Sequence, residues 1–394
     1  MRNRSPLCHG SLYDCHWVID RNGNLFRISR SVKIGGFAHV EAVILGGGFP
    51  VVIQTMWKDR LSFEDLEGEA AGRIISRIEN LKKMGCDILR FAVPDLSSAE
   101  VLGKLSSMVS MPLVADIHFD YKIALRCLDF PIAKVRVNPG NIGDKGRVKA
   151  VLDKAAAVSH PIRIGVNAGS LPKDLALLHD KGSIDSAEAL VLAAERELAV
   201  CDEFGFKDVL VSMKASSVAD TIKANRLFAE RSDVPLHVGV TEAGPLIAGV
   251  VRNTAALTAL LADGIGDTIR VSLSDTMENE VIAGREILAT YREMAGQSAT
   301  DFGIRIVSCP RCGRSSFDTH AFTERWQSRF YTMPRRLTIA IMGCAVNGPG
   351  EANHADLGIT GAGDKVLIFR KGKVTRTINA AEADTAFGEE LDKT

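Results

Sequence analysis

The sequence predicts an α/β protein, a (β/α)8 TIM-type barrel followed by a small α+β domain, and three observations carry that reading. Short β-branched runs recur eight times between residues 50 and 272. Segments of helical periodicity separate them, such as FEDLEGEAAGRIISRIENLKKMG and SAEALVLAAERELAVCDEFGF. After residue 295 the alternation stops, and a stretch with three cysteines takes over. Strands that alternate with helices form βαβ units and a parallel sheet. Eight such units over roughly 220 residues approach the ~250 typical of a closed barrel. A doubly wound open sheet is the alternative topology.

Taken in order, residues 1–30 read as an N-terminal extension, and 31–49 as a short hairpin that opens a barrel domain spanning 31–295. The strand runs are PVVIQTM (50–56), DILRFAV (87–93), PLVADIH (112–118), AKVRVN (133–138), IRIGVN (162–167), DVLVSM (208–213), LHVGVT (236–241) and DTIRVS (267–272). AGQSATDFG (295–303) reads as a linker. A second domain over 303–394 closes with the strand-like DKVLIFRKGKVTRTI.

Lys plus Arg equals Asp plus Glu at 48 each, a balance that gives no support for a nucleic-acid partner. No apolar run reaches the ~18 residues of a membrane span. The N-terminus, MRNRSPLCHGSLYDCHW, lacks the apolar core of a signal peptide. The expected location is cytoplasmic. In such a setting the eight cysteines read as thiols or metal ligands rather than disulfides. Cys86, Cys127 and Cys201 lie beside apolar stretches and read as buried packing residues. Cys8–His9 and Cys15–His16 fall in the extension.

In a barrel of this kind the active site lies at the C-terminal ends of the strands. Those positions hold Gln54, Arg90, Asp116, His118, Arg136, Asn138, Arg163, Asn167, Lys214, Ser216, Glu242, Arg270 and Ser272. Arg90, Arg136, Arg163, Lys214 and Arg270 stand against Asp116 and Glu242, which leaves excess positive charge over one mouth. Buried charges are costly unless matched, and guanidinium forks suit phosphate oxygens. The mouth therefore predicts a phosphorylated or diphosphorylated small substrate. Glu242, a carboxylate among cations, is the candidate general acid or base.

Downstream, Cys309 and Cys312 form a C-x2-C pair, and Cys344 returns inside the turn-rich MGCAVNGPGE. Three thiolates favour a metal over a redox dithiol. Zinc would take a fourth ligand such as His320 or His354. An iron–sulfur cluster would take Glu351, whose harder oxygen is more easily displaced than a thiolate. Spacing leaves both metals open. No G-x-G-x-x-G follows a predicted strand, so any electrons would come from another protein.

CPRCGR (309–314), MGCAVNGPGEA (342–352) and ADLGITG (355–361) resemble the C-terminal signature of the hydroxymethylbutenyl diphosphate synthase family, in its shorter two-domain bacterial form. VVIQTM, ILRFAVPD, ADIHFD, KVRVNPGNIG, IRIGVNAGSL, VSMKAS, GVTEAG and GIGDTIRVSL resemble its barrel motifs in order, and the likeness runs from about residue 30 to the end. The resemblance implies reductive ring opening of methylerythritol cyclodiphosphate to hydroxymethylbutenyl diphosphate, in the methylerythritol phosphate pathway to isoprenoids. It implies a [4Fe–4S] cluster on Cys309, Cys312, Cys344 and Glu351, whose unique iron exchanges Glu351 for a substrate oxygen. Arg90, Asp116, Arg136, Asn138, Arg163, Asn167, Lys214, Arg270 and Ser272 would bind substrate, and Glu242 would move the proton. Flavodoxin or ferredoxin would supply electrons to a head-to-tail homodimer. The chain departs from the family where Met56-Trp57-Lys58-Asp59-Arg60 replaces a Thr/Asn-rich loop, which points to Lys58 and Arg60 as substitute contacts. Residues 1–28 have no family counterpart.

Overall fold

The computed structural model describes residues 17–19, 25–296, 303–346, 348–350 and 352–394. The chain divides into two compact units, one built on the barrel through Ile287, the other running from Leu288 to Thr394 together with Lys83–Gly85.

The first unit begins with two hairpins, β1 (Trp17–Ile19) with β2 (Leu25–Arg27), and β3 (Val32–Ile34) with β4 (Val43–Leu45). Eight parallel strands follow: β5 (Val52–Met56), β6 (Ile88–Ala92), β7 (Leu113–Asp116), β8 (Lys134–Arg136), β9 (Ile162–Asn167), β10 (Val209–Lys214), β11 (His237–Val238) and β12 (Thr268–Ile269). They pair in the order β10-β9-β8-β7-β6-β5-β12-β11, and a parallel bridge between Val211 and Leu236 closes the ring. The closed barrel, not the open sheet, is thus the topology.

The helices between strands are α1 (Gly68–Met84), α2 (Leu96–Ser106), α3 (Tyr121–Cys127), α4 (Lys145–Ala157), α5 (Lys173–Asp180), α6 (Ser186–Glu203), α7 (Val218–Arg231), α8 (Leu246–Ala262) and α9 (Met277–Met294). Their starts are written in the sequence. Asp95, Asp120, Asp144, Asp185 and Ser217 each accept a backbone N–H of the first turn, a contact worth about 1 kcal/mol per cap. Among the described residues no helix is long and apolar enough to cross a membrane.

The β3–β4 hairpin closes the N-terminal end of the barrel. Val32, Ile34 and Leu45 pack on Val52, Ile88, Val114 and Leu210, which point inward from four strands. Arg27 belongs to the same end. Its guanidinium donates to the carbonyls of Ser232 (2.9 Å) and Val234 (2.7 Å), beside Asp267 at 3.8 Å. Part of the segment read as an extension is therefore built into the barrel floor.

The second unit holds a sheet in the order β13-β14-β15-β16-β17. The strands are β13 (Arg305–Ser308), β14 (Thr338–Met342), β15 (Leu357–Ala362), β16 (Lys365–Arg370) and β17 (Lys373–Asn379). The first three run parallel and the last two antiparallel. The strand-like terminal run is thus a hairpin, turning at Lys371-Gly372, where both residues have positive φ. Helices α10 (Thr319–Thr332) and α11 (Ala383–Asp392) share a core with the sheet. Phe387 stands edge-on to Phe322 and Trp326, with ring centroids 5.2 and 5.1 Å away.

Candidate active site

Because the barrel strands are parallel, their C-terminal ends gather at one rim, and the charged side chains found there are deeply set. Asp116 ends β7 in register with Arg136 of β8, which is in register with Arg163 of β9. Asp116 lies 3.2 Å from Arg136 Nη1 and 3.5 Å from Arg90 Nε. Burial works to raise the Asp116 carboxyl, but Arg90, Arg136 and Arg163 outweigh it and hold it below the ordinary carboxylate value. Burial also brings the Arg90 guanidinium down to about 10.

Arg136 and Asn138 are fixed by backbone. Arg136 Nη2 donates to the Gly165 carbonyl at 2.7 Å, and Asn138 exchanges two hydrogen bonds with the same residue. A side chain at Gly165 would collide with the Arg136 guanidinium, so the close approach needs glycine. Arg163 donates to Ser212 Oγ at 2.8 Å. Lys214 ends β10, and burial among Arg270, Arg163 and Arg90 lowers its ammonium well below the usual range. Asn167 ends β9, and half-buried Ser272 lies two residues beyond Arg270. His118 is exposed, 3.1 Å from Arg136.

A second carboxylate, one that the strand-end reading missed, organises the opposite side. Glu280 enters from the first turn of α9 and is 1% exposed. It accepts from Arg270 Nε and Nη2 (3.2 Å each), Lys58 Nζ (2.8 Å), Thr55 Oγ1 (2.6 Å) and the Leu273 N–H (3.1 Å). Its signal was a lone acid on the inner face of the last barrel helix. Lys58 of the altered loop therefore joins the Glu280 cluster. Arg60 instead pairs with Asp95 at 3.0 Å on the exposed surface.

Glu242 lies past the end of β11 with an exposed side chain and φ of +50°. Left-handed backbone is disfavoured for a residue with a Cβ, and such strain persists only where its surroundings impose it. Here Thr241 N–H donates to Ala215 O, Arg252 donates to Ala243 O, Ser274 N–H donates to Gly244 O, and Asn253 accepts from Val240 N–H.

In the second unit Cys309 follows β13 directly and Cys344 comes two residues after β14, its parallel neighbour. Both segments thus leave the same end of the sheet. Cys309 N–H donates to Ile341 O, Ser316 N–H to Gly343 O, and Thr319 Oγ1 to Cys309 O. Between them the exposed Cys312 thiol is held below its ordinary value by hydrogen bonds from Arg314. Cys309 and Cys344 leave one sheet end, Cys312 follows Cys309 by three residues, and three thiols of which one is biased toward thiolate fit an iron–sulfur group in donor type. Among the described residues no three His, Cys, Asp or Glu side chains are grouped to hold a metal ion. Glu351, the expected fourth donor, lies outside the described residues. Of the zinc alternatives, His320 is exposed and faces Glu324 at 3.5 Å, and His354 is exposed. Cys86, Cys127 and Cys201 are buried barrel residues whose thiols burial pushes up to about 12, which makes them inert packing. Cys8 and Cys15 lie outside the described residues.

A cation-lined barrel mouth and a thiol-bearing α+β unit in one chain define a two-unit TIM-barrel protein with a mouth suited to an anionic ligand. The GcpE TIM-barrel domain matches residues 36–285, and the GcpE protein C-terminal domain matches 305–393. Relatives named 4-hydroxy-3-methylbut-2-en-1-yl diphosphate synthase (flavodoxin) include that of Treponema pallidum, 52% identical over 92% of this chain and 91% of its own. Those of Treponema denticola and Thermodesulfovibrio yellowstonii are 49% and 42% identical, each over 93% of this chain and 99% of theirs. The chain belongs to the GcpE family, whose members are iron–sulfur oxidoreductases of isoprenoid biosynthesis.

Proposed function

We propose that this chain converts 2-C-methyl-D-erythritol 2,4-cyclodiphosphate to (E)-4-hydroxy-3-methylbut-2-enyl diphosphate. Two electrons and two protons enter, the ring carbon–oxygen bond to phosphate breaks, and one water leaves. The observation that carries the reading is the barrel mouth, where Arg90, Arg136, Arg163, Lys214 and Arg270 outnumber the two buried carboxylates, Asp116 and Glu280. Such a mouth grips a diphosphate and stabilises the charge that grows on its oxygen as the ring opens. Asp116 and Glu280 hold the guanidiniums in place. Asn138, Asn167 and Ser272 offer neutral contacts to the substrate.

Glu242 carries the proton for the hydroxyl that departs as water. Its strained backbone aims a carboxylate where relaxed chain would not. Cys309, Cys312, Cys344 and Glu351 hold the [4Fe–4S] cluster, which when bound supplies the electrons one at a time. The barrel domain, 31–295, thus binds substrate, and the domain over 303–394 carries the redox group. Flavodoxin is the donor printed in the relatives' names, and ferredoxin is the other small carrier of suitable class. A head-to-tail homodimer in the cytoplasm completes the reading.

The test is anaerobic purification with iron and sulfide analysis, followed by spectra with the cyclodiphosphate and dithionite. About four irons per chain, and a substrate-dependent change in the reduced spectrum, are expected. Glu242→Gln should retain iron and lose turnover. A colourless protein carrying stoichiometric zinc would overturn the proposal.

A further inference from the structure

Below the cation layer of the mouth the barrel holds a second polar layer, of which the proposed reaction uses only Arg163. Lys134 stands two residues before Arg136 on β8, and Thr268 two residues before Arg270 on the strand that includes it, each about 6–7 Å deeper along the strand. His237 is in register with Thr268, and Thr268 with Val52. Val52 belongs to the apolar floor that the β3–β4 hairpin seals. The layer is thus closed below by hydrocarbon and above by the mouth.

Its polar atoms lack protein partners. Lys134 Nζ, Arg163 Nε and Nη2, both ring nitrogens of His237, both amide atoms of Gln54 and Thr268 Oγ1 are buried without a hydrogen bond. Lys134, His237 and Thr268 are 0% exposed. The nearby carboxylates are already engaged: Asp116 by Arg90 and Arg136, Glu280 by Arg270 and Lys58. Among the described residues Lys134 and Arg163 therefore form no ion pair of their own, and only the field of Asp116, already engaged by Arg90 and Arg136, reaches Arg163, a costly arrangement. Every side chain in the set is able to donate: ammonium, guanidinium, imidazole N–H, amide NH2 and hydroxyl. Gln54 Oε1 and one His237 nitrogen are acceptors, but the unpartnered donors outnumber them and two are cationic, which matches a small spherical anion.

We propose that the barrel encloses an inorganic monoanion site, of the chloride class, one layer beneath the substrate mouth, held by Lys134 and Arg163 with His237, Gln54 and Thr268 completing the shell. A diphosphate does not reach it, because the mouth layer covers it. The anion favours the charged form of Lys134, against burial and the Arg163 and Arg90 charges, which lower its ammonium. It thereby sets the floor of the cationic field at the mouth. Arg163 joins the two layers, with Nη1 on Ser212 and its other nitrogens turned to the anion.

The test compares thermal melting of the full chain in sodium chloride and in sodium gluconate at matched ionic strength, with and without saturating pyrophosphate. Chloride should raise the melting temperature saturably by about 2 °C or more, and pyrophosphate should leave that increment intact. Excess line broadening of 35Cl in NMR should follow the same saturation. Lys134→Met should abolish both chloride signals while the pyrophosphate shift persists. If Lys134→Met does not fold, Thr268→Val should weaken chloride affinity several-fold, and bromide-grown crystals of the unaltered protein should show an anomalous peak beside Lys134 Nζ. No saturable chloride effect, an effect erased by pyrophosphate, one retained in Lys134→Met, or no bromide peak beside Lys134 would each overturn the proposal. None of these readouts depends on the cluster or on turnover.

Discussion

At the scale of single residues the barrel mouth is held by two buried carboxylates with different legibility. Asp116 was readable, because it ends a strand and strand ends point at the site. Glu280 was not, because its five contacts come from β5, the loop after it, and the chain following β12, which only the closed barrel brings together. Removing its charge leaves Arg270 and Lys58 facing a neutral group. Glu280→Gln should cost about 3–5 kcal/mol, as breaking a buried pair typically does, and should weaken pyrophosphate binding as Arg270 loses its anchor. Urea unfolding and calorimetric titration read the two effects. Glu242 makes the opposite prediction. Its left-handed backbone costs about 1 kcal/mol or more, which Glu242→Gly relieves. That variant should be at least as stable as the parent and inactive, and reduced stability would show that the loop is not strained.

At the scale of elements, the βα alternation was legible because strand and helix periods differ, 2 against 3.6. The strands β11 and β12 came out two residues long, where the sequence offered runs of six. The reason lies in Gly239, with φ of +154°, which turns the chain so that the Arg270 carbonyl can approach it. The runs are apolar enough to be buried, yet ladder pairing stops where the backbone turns toward the rim. The hairpin β3–β4 was legible as a hairpin but not as the barrel floor, since its partners are more than a hundred residues away in Leu210 and close by in Val52. Leu45→Ala should remove about 2–5 kcal/mol by opening a cavity in that floor. The denaturation midpoint in urea should fall with an unchanged slope; a change in slope would mean that the floor folds apart from the barrel. In the second unit, Thr319 Oγ1 fixes the Cys309 carbonyl from the first turn of α10. Thr319→Val should keep the fold and lose iron faster under chelator, because a ligand segment is freed without loss of a ligand.

At the scale of the whole molecule, equal numbers of acids and bases conceal an uneven burial of charge. Cations hold Asp116 and Glu280 below their ordinary values against burial. Such groups contribute stability above about pH 4, lost as the pH falls further. Asp87, Asp267 and Glu197 are raised instead, by burial above all. Asp87, which accepts the Ile53 N–H at 2.7 Å, rises to about 6. In the fold it holds its proton between its unfolded value of about 3.9 and that value. Its contribution is therefore complete below about pH 4 and fades as the pH rises through about 6. His160 and His237, lowered by burial, act in the reverse sense over an overlapping range. The raw stability curve of the protein mixes these slopes, and a difference isolates one. The stability of the parent minus that of Asp87→Asn should fall as the pH rises from about 4 to about 6.5 and level off above. Chemical denaturation at half-unit intervals measures it. A flat difference would place the Asp87 carboxylate in water rather than against the barrel wall.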